Sequence, residues 1–263
     1  MQHHSAPARR TYGIRHDFFV KHSGLLPGLK SISTIVVTAS LCGVAHAAII
    51  IPTVADSSGA NAFTFGPVSN TVDGSGLSGT LGNGDTLAYA QSLTHIYDQD
   101  ASQSFVTNQV FPDYFASGGS PPVIVYDLGV DTELAHVIFW QYQNQSLGNH
   151  VRTIDLRFNT ESQGSQSFSG TVSSVLMLPV EDNDADPDND LGGINSAQTF
   201  QLSVTARYVQ VTLTDNYLGF QGITNGGDRV GFGEIAFHAV PEPSAAILGA
   251  FGVLAMLRRC RAA

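Results

Sequence analysis

Between residues 48 and 240, apolar and polar residues alternate in short runs, and no stretch holds a 3.6-residue apolar period for long. Strands obey that pattern and helices do not. In residues 151–158, Ile154, Leu156 and Phe158 fall on one face while Thr153, Asp155 and Arg157 fall on the other. In residues 207–215, Val209, Val211 and Leu213 alternate in the same way with Tyr208, Gln210 and Thr212. Residues 123–128 and 134–142 are dense in β-branched and aromatic side chains, which predicts strands buried on both faces, with Trp140 in the core. Further strands are predicted over residues 62–65, 86–91, 167–178, 197–204 and 230–238. Clusters such as Leu147-Gly148-Asn149 and Asn225-Gly226-Gly227-Asp228 supply the turns between them. Many short strands with turn-rich joints predict an all-β fold, a β-sandwich.

Charge divides the chain into three parts. The net charge is −10, yet five of the 12 basic residues precede residue 31 and three close the chain at Arg258, Arg259 and Arg261. The middle keeps only Arg152, Arg157, Arg207 and Arg229, no Lys, and 20 of the 22 carboxylates. An acidic surface of this kind argues against nucleic acid, whose phosphates need a basic partner. Both cysteines, Cys42 and Cys260, lie outside the middle, so neither a disulfide scaffold nor a cysteine-rich zinc module is available to it.

The ends read as export signals. Basic residues up to Lys30, an apolar run over residues 32–44 and then Ala45-His46-Ala47 have the order of a secretory leader. Residues 1–47 are therefore expected to be removed by signal peptidase after Ala47, leaving a β-sandwich domain over residues 48–240. At the other end Pro241-Glu242-Pro243 precedes an apolar stretch and an arginine-rich terminus. This three-part tail, residues 241–263, closely resembles the PEP-CTERM sorting signal. The resemblance implies a transmembrane helix flanked by arginines, an exosortase as processing partner, and delivery to the surface or extracellular matrix of a bacterium. The apolar stretch is short for a span: 13 residues at about 1.5 Å each cover about 20 Å of a hydrocarbon core about 30 Å thick.

The succession His95-Ile96-Tyr97-Asp98-Gln99-Asp100, Val123-Ile124-Val125-Tyr126-Asp127-Leu128-Gly129, Ala206-Arg207-Tyr208-Val209 and Gly233-Glu234-Ile235 adds a second resemblance. In order and spacing, residues 90–238 look like the discoidin, or coagulation factor 5/8 type C, family of galactose-binding-like jelly rolls, though the family's usual cysteine pair and early tryptophan are missing. The resemblance implies a jelly-roll sandwich with a ligand site in the loops at one end. It also implies a structural calcium between an early Asp-containing loop and the last strand's Glu, places matched here by Asp98, Asp100 and Glu234.

Little in the sequence points to catalysis. There is no Gly-x-Ser-x-Gly elbow and no His-Glu-x-x-His pair, and the four histidines of the middle are scattered. A non-enzyme is expected, without an organic cofactor. A second calcium candidate is the run at residues 181–190, where Asp182, Asp184, Asp186, Asp188 and Asp190 put oxygen ligands at alternate positions. The same run also reads as a solvated acidic loop. A sugar site needs aromatic faces for pyranose C–H groups and planar polar groups for hydroxyls. Tyr217 and Phe220, Asn149 and His150, and Asp228 and Arg229 offer such groups from three loops. Two readings stay open: a carbohydrate-binding surface module for extracellular polysaccharide, and an adhesive matrix component assembled through calcium.

Overall fold

A computed structural model describes residues 47–178 and 195–240, apart from Tyr97, Gln99, Gln145 and Gln221. Residues 1–46, which hold most of the expected leader, the acidic run at residues 181–190 and the expected sorting tail from Pro241 onward lie outside the described residues. Among the described residues no helix is long and apolar enough to cross a membrane.

The fold is an antiparallel all-β sandwich. Its main sheet runs in the order β1 (Ile49–Ile50), β11 (Ile235–Ala239), β5 (Val123–Phe139), β9 (Gln198–Asn216), β6 (Val151–Asn159) and β7 (Ser173–Leu176), and β2 (Thr53–Gly59) also pairs with β5. Two short ladders complete it: β4 (Phe105–Val106) with β10 (Gly231–Phe232), and β3 (Thr94–His95) with β8 (Asn195–Ser196).

Two long strands organise the sheet. The dense runs at residues 123–128 and 134–142 are two halves of one strand, β5, whose ladder to β9 shifts register between Asp127 and Thr132. The first half carries β2 on its other edge and the second carries β11. The runs at residues 197–204 and 207–215 likewise fuse into β9. The bidentate pair of Arg207 with Asp127, at 2.9 and 3.1 Å, ties the two strands where the register shifts. That guanidinium holds the Asp127 carboxyl below the usual carboxylate range.

Alternation then decides which core each side chain feeds. Val137 and Phe139 join the main core with Tyr126, Ile154, Leu156, Val209, Val211 and Phe237. Phe232 of the β4–β10 ladder closes this core edge-on against Phe139 and Phe105, at 5.6 and 5.8 Å. Ile138 and Trp140 face the other way, into a second cluster with Ile49, Ala90, Leu93 and Ala236. Each such large apolar side chain contributes about 1.5–3 kcal/mol on burial. Trp140 is buried just past the end of β5, its indole N–H donating to the Leu93 carbonyl at 3.0 Å.

The structure corrects several strand boundaries. Residues 86–91 begin a helix instead of a strand: α1 (Leu87–Ser92) starts where the Thr86 hydroxyl accepts from the Tyr89 N–H. Such a cap stabilises a helix start by about 1 kcal/mol, and Leu87, Ala88 and Ala90 favour the helix further. Residues 62–65 form only a single bridge, Ala62 to Thr107. The run at 167–178 is strand only over β7, and the run at 230–238 splits into β10 and β11 around Gly233 and Glu234.

Candidate functional site

Four loops surround an open cavity of about 650 Å³. Phe63 and Phe65 come from the loop after β2. Asp100, Ala101 and Ser102 come from the loop before β4. Tyr142, Asn144, Ser146 and Asn149 follow β5, and Asp228 and Arg229 precede β10.

The loops are strapped to one another by main-chain bonds. The Phe63 N–H donates to the Val106 carbonyl at 2.7 Å, and the Val106 N–H donates back to Gly66 at 3.0 Å. Gly66 is required there, because a Cβ would come within 2.7 Å of the Val106 nitrogen. The Thr107 N–H donates to the Val230 carbonyl, and the Val230 N–H returns to the Thr107 hydroxyl, both at 3.0 Å. Asn149 is buried, and its side-chain oxygen accepts from the N–H of Gly227 at 2.6 Å and of Arg229 at 3.3 Å. Gly227 has φ 90°, and a Cβ on it would lie 2.4 Å from the Leu218 side chain, so only glycine fits this corner. Asp98 does the same service for its loop: its carboxylate accepts from the N–H groups of Ser102 and Gln103 at 2.9 and 2.8 Å.

The wall of the cavity is aromatic and cationic. Phe65 is 62% exposed and meets Phe63 edge-on at 5.5 Å. The Arg229 guanidinium lies over the Phe63 ring, 4.3 Å from its centroid. Arg152 and Arg207 pair with carboxylates and Arg157 donates to the Phe168 carbonyl, whereas the Arg229 guanidinium has no hydrogen-bond or ion-pair partner among the described residues. Its donors are therefore available to a ligand. Opposite in charge, Asp228 accepts from the Gln109 amide, and Asp100 is exposed. Beneath, the Asn144 amide donates to the Tyr142 hydroxyl at 2.7 Å. An exposed aromatic face next to amides, a carboxylate and a free guanidinium can hold a ring with an apolar side and hydroxyls at its edge.

No protein-family profile and no curated protein matches the chain. Among solved structures it is similar to GH31 CBM32-2 bound to GalNAc, at 11% identity over 73% of this chain and 97% of that one, with a TM-score of 0.39. It is similar also to the family 32 carbohydrate-binding module of C. perfringens NanJ in complex with galactose, at 12% identity over 73% and 99%, TM-score 0.39. A third is an F5/8 type C domain from Bacteroides fragilis, at 9% identity over 52% and 72%, TM-score 0.34.

The residues singled out from the sequence separate into groups. Asn149, Asp228 and Arg229 line the cavity. His150 is fully buried behind it, edge-on to Tyr142, and burial pushes its imidazole down to about 3. Tyr217 is buried too, its hydroxyl donating to the Met177 carbonyl. Phe220 is exposed away from the cavity lining, under the Arg152 guanidinium at 3.5 Å. Asp100 borders the large cavity, while Glu234 borders a separate one of about 40 Å³ with Asp73, Gly74 and Trp140. Among the described residues Asp98, Asp100 and Glu234 do not form a metal-holding group. Phe63 and Phe65, which give the wall its character, were assigned to a strand by the sequence pattern. The signal that marks them is two aromatics in Phe63-Thr64-Phe65 followed at once by a Gly66-Pro67 turn.

Glu234 is itself unusual. It is 3% exposed, and its Oε1 has no hydrogen-bond partner. Burial first, then the neighbouring Asp73 charge, push its carboxyl up to about 9. No group of three or more His, Cys, Asp or Glu converges on a metal position among the described residues, so a cation beside Glu234 and Asp73 would take its further ligands from backbone or neutral side-chain oxygens or from water.

Proposed function

We propose that this chain is an exported, non-catalytic carbohydrate-binding module whose sugar site is the loop cavity walled by Phe63, Phe65 and Arg229. The observation that carries this reading is the exposed Phe65 ring in the same wall as an Arg229 guanidinium that stacks on Phe63 but has no hydrogen-bond or ion-pair partner among the described residues, in a cavity of about 650 Å³. Phe65 meets the C–H face of a ring. Arg229, Asn149, Asn144 and Asp228 then read hydroxyls at its edge. The loops arrive pre-strapped, which limits the ordering cost of binding. We read the site as a binding site because its polar groups serve as hydrogen-bonding and positioning groups.

The same proposal includes the termini. The leader resemblance supports removal after Ala47, and the tail resemblance supports exosortase handling at Pro241-Glu242-Pro243 and delivery to the cell surface or matrix, where extracellular polysaccharide is the expected partner. It also includes a structural calcium at Glu234. A buried carboxylate with an orphaned oxygen beside Asp73 fits a hard cation, which would supply charge neutralisation at this point of the fold. Asp182, Asp184, Asp186, Asp188 and Asp190 remain candidates for a second calcium.

A glycan array probed with the full chain tests the sugar reading. Binding of a defined glycan that weakens in Phe65→Ala and Arg229→Gln supports it. A uniform absence of glycan binding, or hits indifferent to both variants, refutes it.

A further inference from the structure

His136 on β5 and His238 on β11 are register partners in neighbouring antiparallel strands. Their Nδ1 atoms lie 3.2 Å apart, with ring centroids at 5.4 Å and planes tilted by 40°. His238 is 8% exposed and His136 is half-buried. Two nitrogens that face each other at this distance need something between them, since two bare lone pairs repel. Either one proton bridges them or a metal ion does. The next register partners outward are Ile49 beside His238 and Gln201 beside His136, so no carboxylate stands opposite either ring to explain it as half of an ion pair.

The spacing is that of a metal bite. Two imidazole nitrogens each about 2.0–2.1 Å from one tetrahedral zinc lie about 3.3–3.4 Å apart. The observed gap needs adjustment by only a few tenths of an ångström, within the reach of χ rotation.

We propose that His136 and His238 form a two-histidine site for a borderline transition-metal dication, with Zn²⁺ as the reference ion. Imidazole suits zinc, copper and nickel, whereas calcium requires oxygen ligands, so this site is chemically distinct from any at Glu234. No third protein ligand of the His, Cys, Asp or Glu type converges there among the described residues, so the remaining positions belong to water or to a ligand brought from outside. Neither histidine lines the loop cavity, and the proposal stands apart from the sugar reading.

Titration of the untagged full chain with zinc chloride, with calcium chloride as control, tests it. Wild type takes up one equivalent of zinc that His136→Gln and His238→Gln each lose, while calcium uptake is the same in all three. Copper at one equivalent gives an electron paramagnetic resonance spectrum split by two nitrogens in wild type and by fewer in each variant. A chain with His3, His4, His16, His22 and His46 all replaced by Gln retains the zinc equivalent, which excludes them as its source, and the two-nitrogen copper spectrum of wild type holds the proposal to a result even if a strand variant fails to fold. Zinc uptake that survives both strand substitutions, or that disappears with the five N-terminal histidines, overturns the proposal. Absence of zinc uptake in wild type overturns it too and leaves the pair as a shared-proton contact.

Discussion

The Arg229 guanidinium rests on the ring of Phe63, 4.3 Å from its centroid, although 166 positions separate the two in the chain. This contact joins the loop after β2 to the loop before β10 and sets a flat cation against a flat aromatic wall. Such a pair contributes about 0.5–2 kcal/mol according to its exposure. Arg229→Lys keeps the charge and loses the planar fork, so it is expected to weaken glycan binding while leaving the circular-dichroism spectrum unchanged. A titration that finds Lys as good as Arg would mean that charge alone matters.

Asn149 holds this arrangement from below. Asn149→Ala leaves the buried Gly227 N–H without its acceptor, a loss of about 1–3 kcal/mol. Denaturant unfolding is expected to show that loss, together with weaker glycan binding because Arg229 is released. Asn149→Asp, which keeps an acceptor, is expected to recover part of both.

Tyr217→Phe separates packing from binding. It removes the hydroxyl that donates to the Met177 carbonyl and is expected to cost about 0.5–1.5 kcal/mol of stability. Since Tyr217 is buried and does not line the cavity, glycan affinity should stay as in wild type.

His150 gives the acid response a definite sign. Its imidazole is pushed from 6.5 down to about 3 by burial, so the unfolded chain takes up a proton that the folded chain refuses. The corresponding stability is full above about pH 6.5 and is lost progressively as pH falls toward 3. His150→Gln is expected to flatten the slope of unfolding free energy between pH 6.5 and 4. His95, shifted in the same direction by burial, keeps part of the slope in that variant.

Glu234 responds oppositely. Its folded carboxyl is raised from 4.5 to about 9, so its contribution is full below about pH 4.5 and is lost as pH rises toward 9. At the proposed site calcium would replace that proton, and its stabilisation is therefore expected to grow with pH. A hundredfold excess over Kd gives about 2.7 kcal/mol. Melting scans of wild type in calcium, in magnesium and in sodium chloride at matched ionic strength check this. Glu234→Gln is expected to abolish the calcium-specific shift, and equal shifts in all three salts would leave only screening of the 20 carboxylates of residues 48–240.

The strands were legible where alternation was long enough to define a face. Ile154 with Leu156, and Val209 with Val211 and Leu213, are buried as their period of two requires. Residues 86–91 were not legible, because six residues hold less than two helical turns and the Thr86 cap decides them. The continuity of β5 was hidden as well: residues 123–128 and 134–142 read as two separate runs, yet Asp127 accepts from the Gly129 N–H and the strand runs on through the register shift. The site was half legible. Asn149, Asp228 and Arg229 stand beside glycine turns that announce loops, but their meeting with Phe63 and Phe65 depends on the ladder of Ala62, Thr107 and Val230, whose pairings no local spacing encodes.

The most direct test of the sugar site is calorimetric titration of one array-identified glycan into wild type and Phe65→Ala. Phe65 is exposed, so its removal should leave the melting temperature within a degree or so of wild type while weakening binding by about tenfold or more, equivalent to about 1.4 kcal/mol. Unchanged affinity in Phe65→Ala, with the protein folded, would contradict the assignment of the loop cavity as the sugar site.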